Sequence, residues 1–541
     1  MMDVKYLLSF LLALGLSWLI IPVLIRHSAR LGLMDDPSCD DRKEHGRVMP
    51  RSGGLGIVLA SALALVVVLP VNDSLLSLVA GGLVITVFGL IDDRTELKAI
   101  YKFLGQVIGV GIAMAGGMVI TEVPFFDAAP AWFCYLLTFF FVVGVINAVN
   151  FSDGMDGLAA GTSLMALMLI FVLAAQCGNL PVAAISLSTS AAVLGFLRFN
   201  THPASIFMGD AGSQFLGFIV AWLAISVSQA DISPMTRLMP LLLLGIPVMD
   251  LLQVIPVRLA HGRAPWQPDR QNFHHQIAKV GFHQYEVVAI IYAQQAVLLV
   301  SAFLLRFASD AAVLGFYLAY AGLILGSLYW ANTHGWHVRV PRPANTTDRR
   351  NPLFRRLSGL HTYTGKFFGG AITVCFILAA ALSTSLHTSL AYIGLVWAGV
   401  LFVIKRFSRN RWPLALGRLA TYTVTGGLVY GLTTSYTSVP GNFVINAGLV
   451  VLLVLLAVAI RITRRKYFWL TTQDLLVVFF LVILTPQLPA TLHLPFPTDV
   501  MIFRTFALLY MCEYVLARGD SARARLTSAS IFALLFVGLH L

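Results

Sequence analysis

Apolar runs of about 17–22 residues recur from one end of the 541-residue chain to the other. Runs of this length can cross the hydrocarbon core of a bilayer as helices, whereas the strands of a β-barrel would appear as short alternating segments. Only 11% of the residues are charged, against roughly a quarter in a soluble domain. The sequence therefore predicts an all-α, polytopic integral membrane protein of about eighteen transmembrane helices.

The distribution of Lys and Arg predicts which connections face the cytoplasm. When the connection after the first span is placed inside, the alternate connections carry 33 of the 37 basic residues. The net charge of +12 then follows from the positive-inside rule, and nucleic acid is not expected as a partner. The predicted spans lie near 6–25, 53–71, 75–91, 101–121, 131–149, 158–176, 180–197, 214–229, 238–257, 285–305, 311–330, 367–384, 387–404, 416–433, 442–460, 471–485, 498–516 and 526–541.

The inside connections change in composition near residue 335. Before this point they are rich in Asp, Asn, His and Gly, and after it they are basic and otherwise plain, as in KRFSRNRWP and RITRRK. The shift predicts two domains, 1–335 with about eleven spans and 336–541 with about seven. The acids of the second domain are sparse and unpaired, so no catalytic constellation is expected there.

Five carboxylates lie in three segments that the topology places at inside connections. Asp92 and Asp93 end a span in LIDDRTELK, Asp153 and Asp156 lie in NAVNFSDGMDGLAAG, and Asp210 lies in FMGDAGSQF. Acids at helix ends are commonly just solvated, but three glycine-flanked acidic segments on one side favour a shared site. Paired carboxylates repel one another unless a cation lies between them. Mg²⁺ prefers oxygen ligands and is commonly bound by protein carboxylates together with substrate phosphates. If the segment at 153–156 is helical, the i, i+3 spacing places both of its carboxylates on one face.

Basic and imidazole groups are expected on the same side. The segment PWQPDRQNFHHQIAKVGF supplies Arg270, His274 and His275. Cationic donors beside a metal suit anionic phosphates. The His pair could equally be a neutral surface or capping pair, and it makes a weak zinc site. In the first inside connection, Lys43 and His45 are explained by topology alone.

Taken together, the motifs resemble the polyprenyl-phosphate N-acetylhexosamine-1-phosphate transferase family, which includes MraY and WecA. The resemblance covers roughly residues 1–330 and runs through five ordered motifs. The loop DRQNFHH is more similar to the WecA branch, although Asn272 stands where that branch has a His. Because Asn cannot titrate, an acid–base role at this position is in doubt. The five matching segments are DDPSCDDRKEHGRVMPRSGG, DDRTELK, NAVNFSDGMDGLA, MGDAGS and DRQNFHH.

The resemblance implies transfer of a sugar-1-phosphate, with GlcNAc-1-phosphate as the best candidate, from a UDP-N-acetylhexosamine to polyprenyl (undecaprenyl) phosphate. It implies Mg²⁺, with Mn²⁺ as an alternative, release of UMP, and a cytoplasmic active site in the bacterial inner membrane, at the first membrane step of envelope polysaccharide synthesis. A second copy of the chain is a candidate partner. The residues expected in catalysis are Asp92, Asp93, Asp156, His274 and His275. Those expected to bind substrate are Lys43, His45, Lys98, Asn147, Asn150 and Arg270, and those expected to bind the metal are Asp153 and Asp210.

A secondary transporter or flippase of lipid-linked or nucleotide sugars is the competing interpretation. Such a protein would also have many spans and polar groups within the membrane. Its binding groups should lie near the bilayer midplane, commonly on broken helices. The acidic segments here are expected at inside connections, which favours the enzyme.

Overall fold

The computed structural model describes residues 4–36, 48–70, 72–126, 128–229, 235–260, 262, 272–338 and 367–375, with isolated positions beyond. The described part up to residue 338 is almost entirely helical, apart from a two-stranded antiparallel pairing of β1 (Met34–Asp35) with β2 (Met49–Pro50). The helices are α1 (Val4–Leu31), α2 (Gly53–Val68), α3 (Asp73–Thr95), α4 (Ala99–Ala115), α5 (Ala131–Ser152), α6 (Leu158–Gln176), α7 (Leu180–Asn200), α8 (Gly209–Ser228), α9 (Met239–Leu243), α10 (Gly245–Ala260), α11 (Phe273–Lys279), α12 (Gln284–Leu304) and α13 (Asp310–Thr333).

Eight of these helices are long and apolar enough to cross a membrane, and α2 and α4 are shorter apolar helices. The chain is therefore a polytopic helical membrane protein, as predicted. The predicted total of about eighteen spans stays a prediction, because most of the later spans lie outside the described residues. The eight are α3, α5, α6, α7, α8, α12, α13 and the part of α1 from Leu12 to Leu31.

One predicted span, 238–257, is divided in the structure. Helix α9 ends at Leu243 and α10 begins at Gly245. The side-chain amide of Gln295 on α12 donates to the Leu243 carbonyl at 2.8 Å, and the Tyr317 hydroxyl on α13 donates to the Gly245 carbonyl at 2.9 Å. Pro247 has no N–H for the Leu243 carbonyl, and side chains from two other helices donate to the carbonyls at the break instead.

Helix α8 lies at the centre of the bundle and packs against α2, α3, α5 and α6. In the apolar stretch of α8 that could cross a membrane, 94% of the residues are buried, whereas only 11% are buried in the corresponding stretch of α13. Small residues allow the close approach at the start of α8. A Cβ on Gly54 of α2 would lie 2.2 Å from the backbone nitrogen of Gly212, and one on Gly89 of α3 would lie 2.5 Å from Cα of Ala211. The glycines of these motifs therefore bring backbones into direct contact.

The chain divides into two compact units. One comprises Met1–Pro341 with Thr471–Leu484, and the other comprises Arg342–Leu470 with Thr485–Leu541. All thirteen helices named above belong to the first unit. The predicted assignment of 1–335 as a transferase core and 336–541 as a separate membrane domain stays a prediction.

Candidate active site

Two of the predicted acidic segments meet around a lysine at one end of the first unit. Asp92 lies in the last turn of α3, and Asp210 lies in the first turn of α8. The Nζ atom of Lys102, in the first turns of α4, forms ion pairs with both carboxylates, at 2.7 Å in the case of Asp210. The Asp92 side chain is 5% exposed, that of Asp210 27% and that of Lys102 33%. The group therefore lies at an opening between three helix ends.

The backbone around Asp92 holds its carboxylate in place. The second Asp92 oxygen accepts a hydrogen bond from the Leu97 backbone N–H at 2.7 Å. Glu96 between them adopts a left-handed conformation with φ 52° and ends α3. The chain thus turns back directly after the acidic pair, and α4 begins at Ala99. This turn is what brings Lys102 to Asp92.

Asp93 caps the start of α8. Its two carboxylate oxygens accept hydrogen bonds from the backbone N–H groups of Asp210 at 2.8 Å and Ala211 at 3.1 Å. Gly209 precedes them with φ +74°, and a Cβ there would lie 2.6 Å from Asp93. A carboxylate at a helix N-terminus is stabilised by the unpaired N–H groups and the helix dipole. Asp93 therefore positions Asp210, and the predicted catalytic role of Asp93 stays a prediction.

The two predicted asparagines of α5 join this site. Asn150 donates to the free oxygen of Asp210 at 2.9 Å and to the Ser213 hydroxyl at 2.8 Å. Asn147, one turn deeper, donates to the side-chain Oε1 of Gln106 at 2.9 Å, and the Gln106 Nε2 donates to the side-chain Oε1 of Gln214 at 3.1 Å. A layer of three amides from α4, α5 and α8 thus lies beneath the layer that contains Lys102, Asn150 and Asp210.

The segment from Asp153 to Gly157 is a turn between α5 and α6. The expectation that a helix places Asp153 and Asp156 on one face is therefore not met. Asp153 follows the end of α5, and no described residue donates a hydrogen bond to its carboxylate. The Asp153 side chain is half-buried. Burial first, and then the charges of Asp210 and Asp93, raise the pKa of Asp153 to about 8.

Asp156 turns away toward the loop after α7. Its carboxylate pairs with Nδ1 of His202 at 2.8 Å and accepts from the Ala204 N–H at 3.1 Å. The Asn200 side chain holds the same loop by accepting from Gly157 N–H and donating to the Ile206 carbonyl, both at 2.9 Å. This geometry gives Asp156 a positioning role for the loop that leads to Asp210. Its predicted catalytic role is not tested.

The paired histidines lie on the short helix α11, which is anchored at its start. Asn272 donates to the Phe151 carbonyl at 2.9 Å, and Asp250 accepts from the Phe273 N–H at 2.7 Å. Asn272 thus ties α11 to the end of α5, a role that needs no titration. The rings of His274 and His275 lie with centroids 4.3 Å apart.

His274 is 2% exposed, and no residue in the described part of the chain bonds its Nε2. A Cβ on Gly154 would lie 2.4 Å from this nitrogen, so the ring supports the Asp153 turn from below. Burial, together with the neighbouring His275, lowers the pKa of His274 to about 3. His274 is therefore a neutral side chain, and the phosphate contact expected of it stays a prediction.

Lys98 is exposed at the N-cap of α4, and the ion pairs are made by Lys102 one turn later. Lys102 is the main site residue that the sequence analysis missed. A signal was present, because YKFLGQ places a lysine inside an apolar helix, where a charge is costly without a partner. Three predicted substrate-binding residues, Lys43, His45 and Arg270, lie outside the described residues.

Within the described ranges, no three His, Cys, Asp or Glu side chains form a ready-made metal site. The donors near Asp210 are nevertheless all oxygens, from Asp92, Asp153 and Asp210. Mg²⁺ keeps several of its waters and uses one or two protein carboxylates besides substrate phosphates. The residues present therefore fit a hydrated divalent cation.

Comparison with known proteins identifies the family. A family profile described as glycosyl transferase family 4 matches residues 75–228, which include Asp92, Lys102, Asp153 and Asp210. A relative from Bacillus subtilis (strain 168), named "Probable undecaprenyl-phosphate N-acetylglucosaminyl 1-phosphate transferase", is 34% identical over 314 residues, covering 57% of this chain and 86% of that protein. The chain belongs to glycosyl transferase family 4.

Two further relatives extend the comparison. "Undecaprenyl-phosphate alpha-N-acetylglucosaminyl 1-phosphate transferase" from Yersinia pestis is 29% identical, over 50% of this chain and 76% of the relative. "Decaprenyl-phosphate N-acetylglucosaminephosphotransferase" from Mycobacterium leprae (strain TN) is 32% identical, over 47% of this chain and 72% of the relative. These relatives match about half of this family 4 chain, and the other half lies outside the matched region.

Proposed function

We propose that this protein transfers N-acetylglucosamine-1-phosphate from UDP-N-acetylglucosamine to a polyprenyl phosphate and releases UMP. The names of its relatives support this reaction. The structural observation that carries the proposal is the meeting of Asp92 and Asp210 around Lys102 at the end of a bundle of apolar helices. A site at a bundle end can be reached by a water-soluble nucleotide sugar and by the headgroup of a lipid.

In the proposed reaction, an oxygen of the lipid phosphate forms a bond to the β-phosphorus of the nucleotide sugar. The bond between that phosphorus and the oxygen bridging to the α-phosphate breaks, and UMP leaves with the electron pair. Because phosphoryl transfer depends on positioning and charge neutralisation, the protein need supply little covalent chemistry. The lipid phosphate is largely ionised at neutral pH, so a strong base is not required, and Asp92 is our candidate if one acts.

The side chains at the opening have the chemistry to orient a diphosphate. Lys102 supplies an ammonium, and Asn150 supplies an amide that already bonds Asp210. We assign Asp210 and Asp153 as ligands of a divalent cation, Mg²⁺ or Mn²⁺, with Asp92 adjacent. When bound, such a cation supplies charge neutralisation for the diphosphate and the leaving UMP. The charge distribution of the connections supports a cytoplasmic location for this opening, in the bacterial inner membrane.

A transporter is not favoured. Transporter sites are expected near the bilayer midplane on broken helices. The break between α9 and α10 is instead filled by Gln295 and Tyr317, and the carboxylates lie at helix ends. The polar groups are thus placed for chemistry at one surface.

The test is release of UMP by the full chain in detergent, with UDP-N-acetylglucosamine, polyprenyl phosphate and Mg²⁺. UMP should appear only when all three are present and should disappear with EDTA. Asp210→Asn should abolish release without unfolding the protein, because Asn keeps the size and removes the charge that the cation needs. Asp310→Asn is the matched control, since Asp310 bonds Thr236 in another connection and should be dispensable for turnover. No UMP from any member of a UDP-N-acetylhexosamine panel would overturn the proposal.

A further inference from the structure

Lys102 lies where a cation between Asp92 and Asp210 would lie. Its ammonium contacts one oxygen of each carboxylate, and these two acids come from motifs more than a hundred residues apart. An ammonium and a divalent cation cannot share this position, because like charges a few ångströms apart repel strongly at a partly buried site. Either Lys102 excludes the metal or the metal displaces Lys102.

We propose that Lys102 holds the place of the divalent cation between turnovers and moves onto a phosphate of the nucleotide when the cation binds. This inference rests on the proposed function, because it assumes a phosphate substrate beside a metal. The lysine would thereby neutralise the carboxylates in the absence of metal and the diphosphate in its presence. It would be a substrate-contacting residue in the second state only.

The surroundings allow the lysine to move and hold the acids still. Asp210 is fixed by Asn150 on one oxygen, and Asp93 fixes the backbone at the start of α8. Asp92 is fixed by the Leu97 N–H. Lys102, in contrast, is one-third exposed at the opening and has four rotatable bonds. Its departure leaves both carboxylates in place for another cation.

The direction of the movement is also restricted. One turn deeper on α4, Gln106 is 3% exposed and bonded to Asn147 and Gln214. This amide layer fills the space toward the membrane interior. The Lys102 side chain can therefore leave the carboxylates only toward the opening, which is where the nucleotide phosphates would enter.

Lys102→Met in the full chain tests the placeholder. Binding of Mn²⁺ without substrate, measured from the electron paramagnetic resonance signal of free Mn²⁺, should become about tenfold tighter or more, since the competing charge is gone. Lys102→Arg keeps the charge and should stay near the wild type. Arg198→Met is the matched control, because this substitution also removes one positive charge, but at a position over the Trp18 ring and away from the site. Unchanged or weaker Mn²⁺ binding by Lys102→Met would overturn the proposal.

The second half of the proposal is tested with UDP. At saturating Mn²⁺, calorimetric titration should show Lys102→Met binding UDP about tenfold more weakly or worse, because the ammonium that moves to the phosphate is missing. A lysine that merely neutralises the acids would leave UDP affinity unchanged and refute the movement. If Lys102→Met is too unstable without metal, Mn²⁺ should raise its unfolding temperature more than that of the wild type, and a smaller rise would also refute it. UMP release by the wild type, measured in parallel, separates this outcome from failure of the proposed function.

Discussion

At the scale of single residues, the side chain packed beneath Gly154 explains why this position is a glycine. The position is exposed, yet a Cβ there would collide with Nε2 of the buried His274. The ring is 2% exposed, so a Cβ at this position would have to displace a buried side chain. A sequence motif would suggest that this glycine serves the ligand, whereas the structure shows that it makes room for a histidine.

Gly154→Ala should therefore lower the unfolding temperature and displace the turn that carries Asp153. In a His274→Ala background the same change should cost little, because the space is then available, and this coupling can be measured with a double-mutant cycle in detergent. Gly111→Ala is the control, since a Cβ at Gly111 meets nothing within 4 Å and alanine favours the helix. Additive losses in the cycle would contradict the contact.

His274 also predicts a dependence of stability on pH. Its pKa falls from the ordinary 6.5 to about 3 in the folded protein. Below pH 6.5 His274 binds a proton in the unfolded chain but not in the folded chain, so the free energy of unfolding decreases as the pH falls from 6.5 toward 3. At pH 5 this loss is about 2 kcal/mol.

The measurement compares unfolding temperatures at pH 7.5 and pH 5. The wild type should lose more than His274→Gln, which has no proton to bind at this position. His27→Gln serves as the control, because His27 is exposed and should behave as the wild type does. Equal losses in the wild type and His274→Gln would show that this histidine titrates normally.

At the scale of elements, the helix break at Leu244 depends on particular side chains from elsewhere. Gln295→Leu should destabilise the protein by about 1–3 kcal/mol, because it leaves the Leu243 carbonyl and the Ile246 N–H without their partner in a buried setting. Gln294→Leu is a neighbouring control. The Gln294 side-chain oxygen is buried and has no partner among the residues that the structure describes, so its removal should be neutral or favourable. Denaturation by SDS can compare the two, and equal effects would contradict the assignment.

The same break shows where prediction from the sequence stops. Hydropathy located the long helices, because the length and polarity of each run are local properties, but it did not predict the short helix α11 in a polar connection. It returned 238–257 as one span, although Pro247 has no N–H for the Leu243 carbonyl; the side chains that bond the carbonyls at the break lie on α12 and α13. The meeting of Asp92 with Asp210 followed from topology, but the role of Lys102 did not, because a lysine near a helix start also satisfies the positive-inside rule. The turn at 153–157 was likewise hidden, since its partners Asn200 and His202 lie at the end of α7 and in the loop after it.

At the scale of the whole molecule, the orientation in the membrane can be tested with two exposed positions. Phe125 lies between α4 and α5, and Glu96 lies between α3 and α4. In a chain without its native cysteines, Phe125→Cys should react with an impermeant maleimide added to intact bacterial cells. Glu96→Cys should react only after the cells are opened. The reverse pattern would overturn the cytoplasmic location of the site.

The break between α9 and α10 also sets an order of events during synthesis. The groups that complete it, Gln295 and Tyr317, follow Leu243 and Gly245 by 52 and 72 positions. At about 5–20 residues per second, the ribosome delivers them several seconds after the segment that needs them. Pro247 has no N–H, so until then the Leu243 carbonyl lacks a donor from its own helix, and unpaired backbone groups are costly in lipid. The hydrogen bonding of the interruption is thus completed only when α12 and α13 arrive.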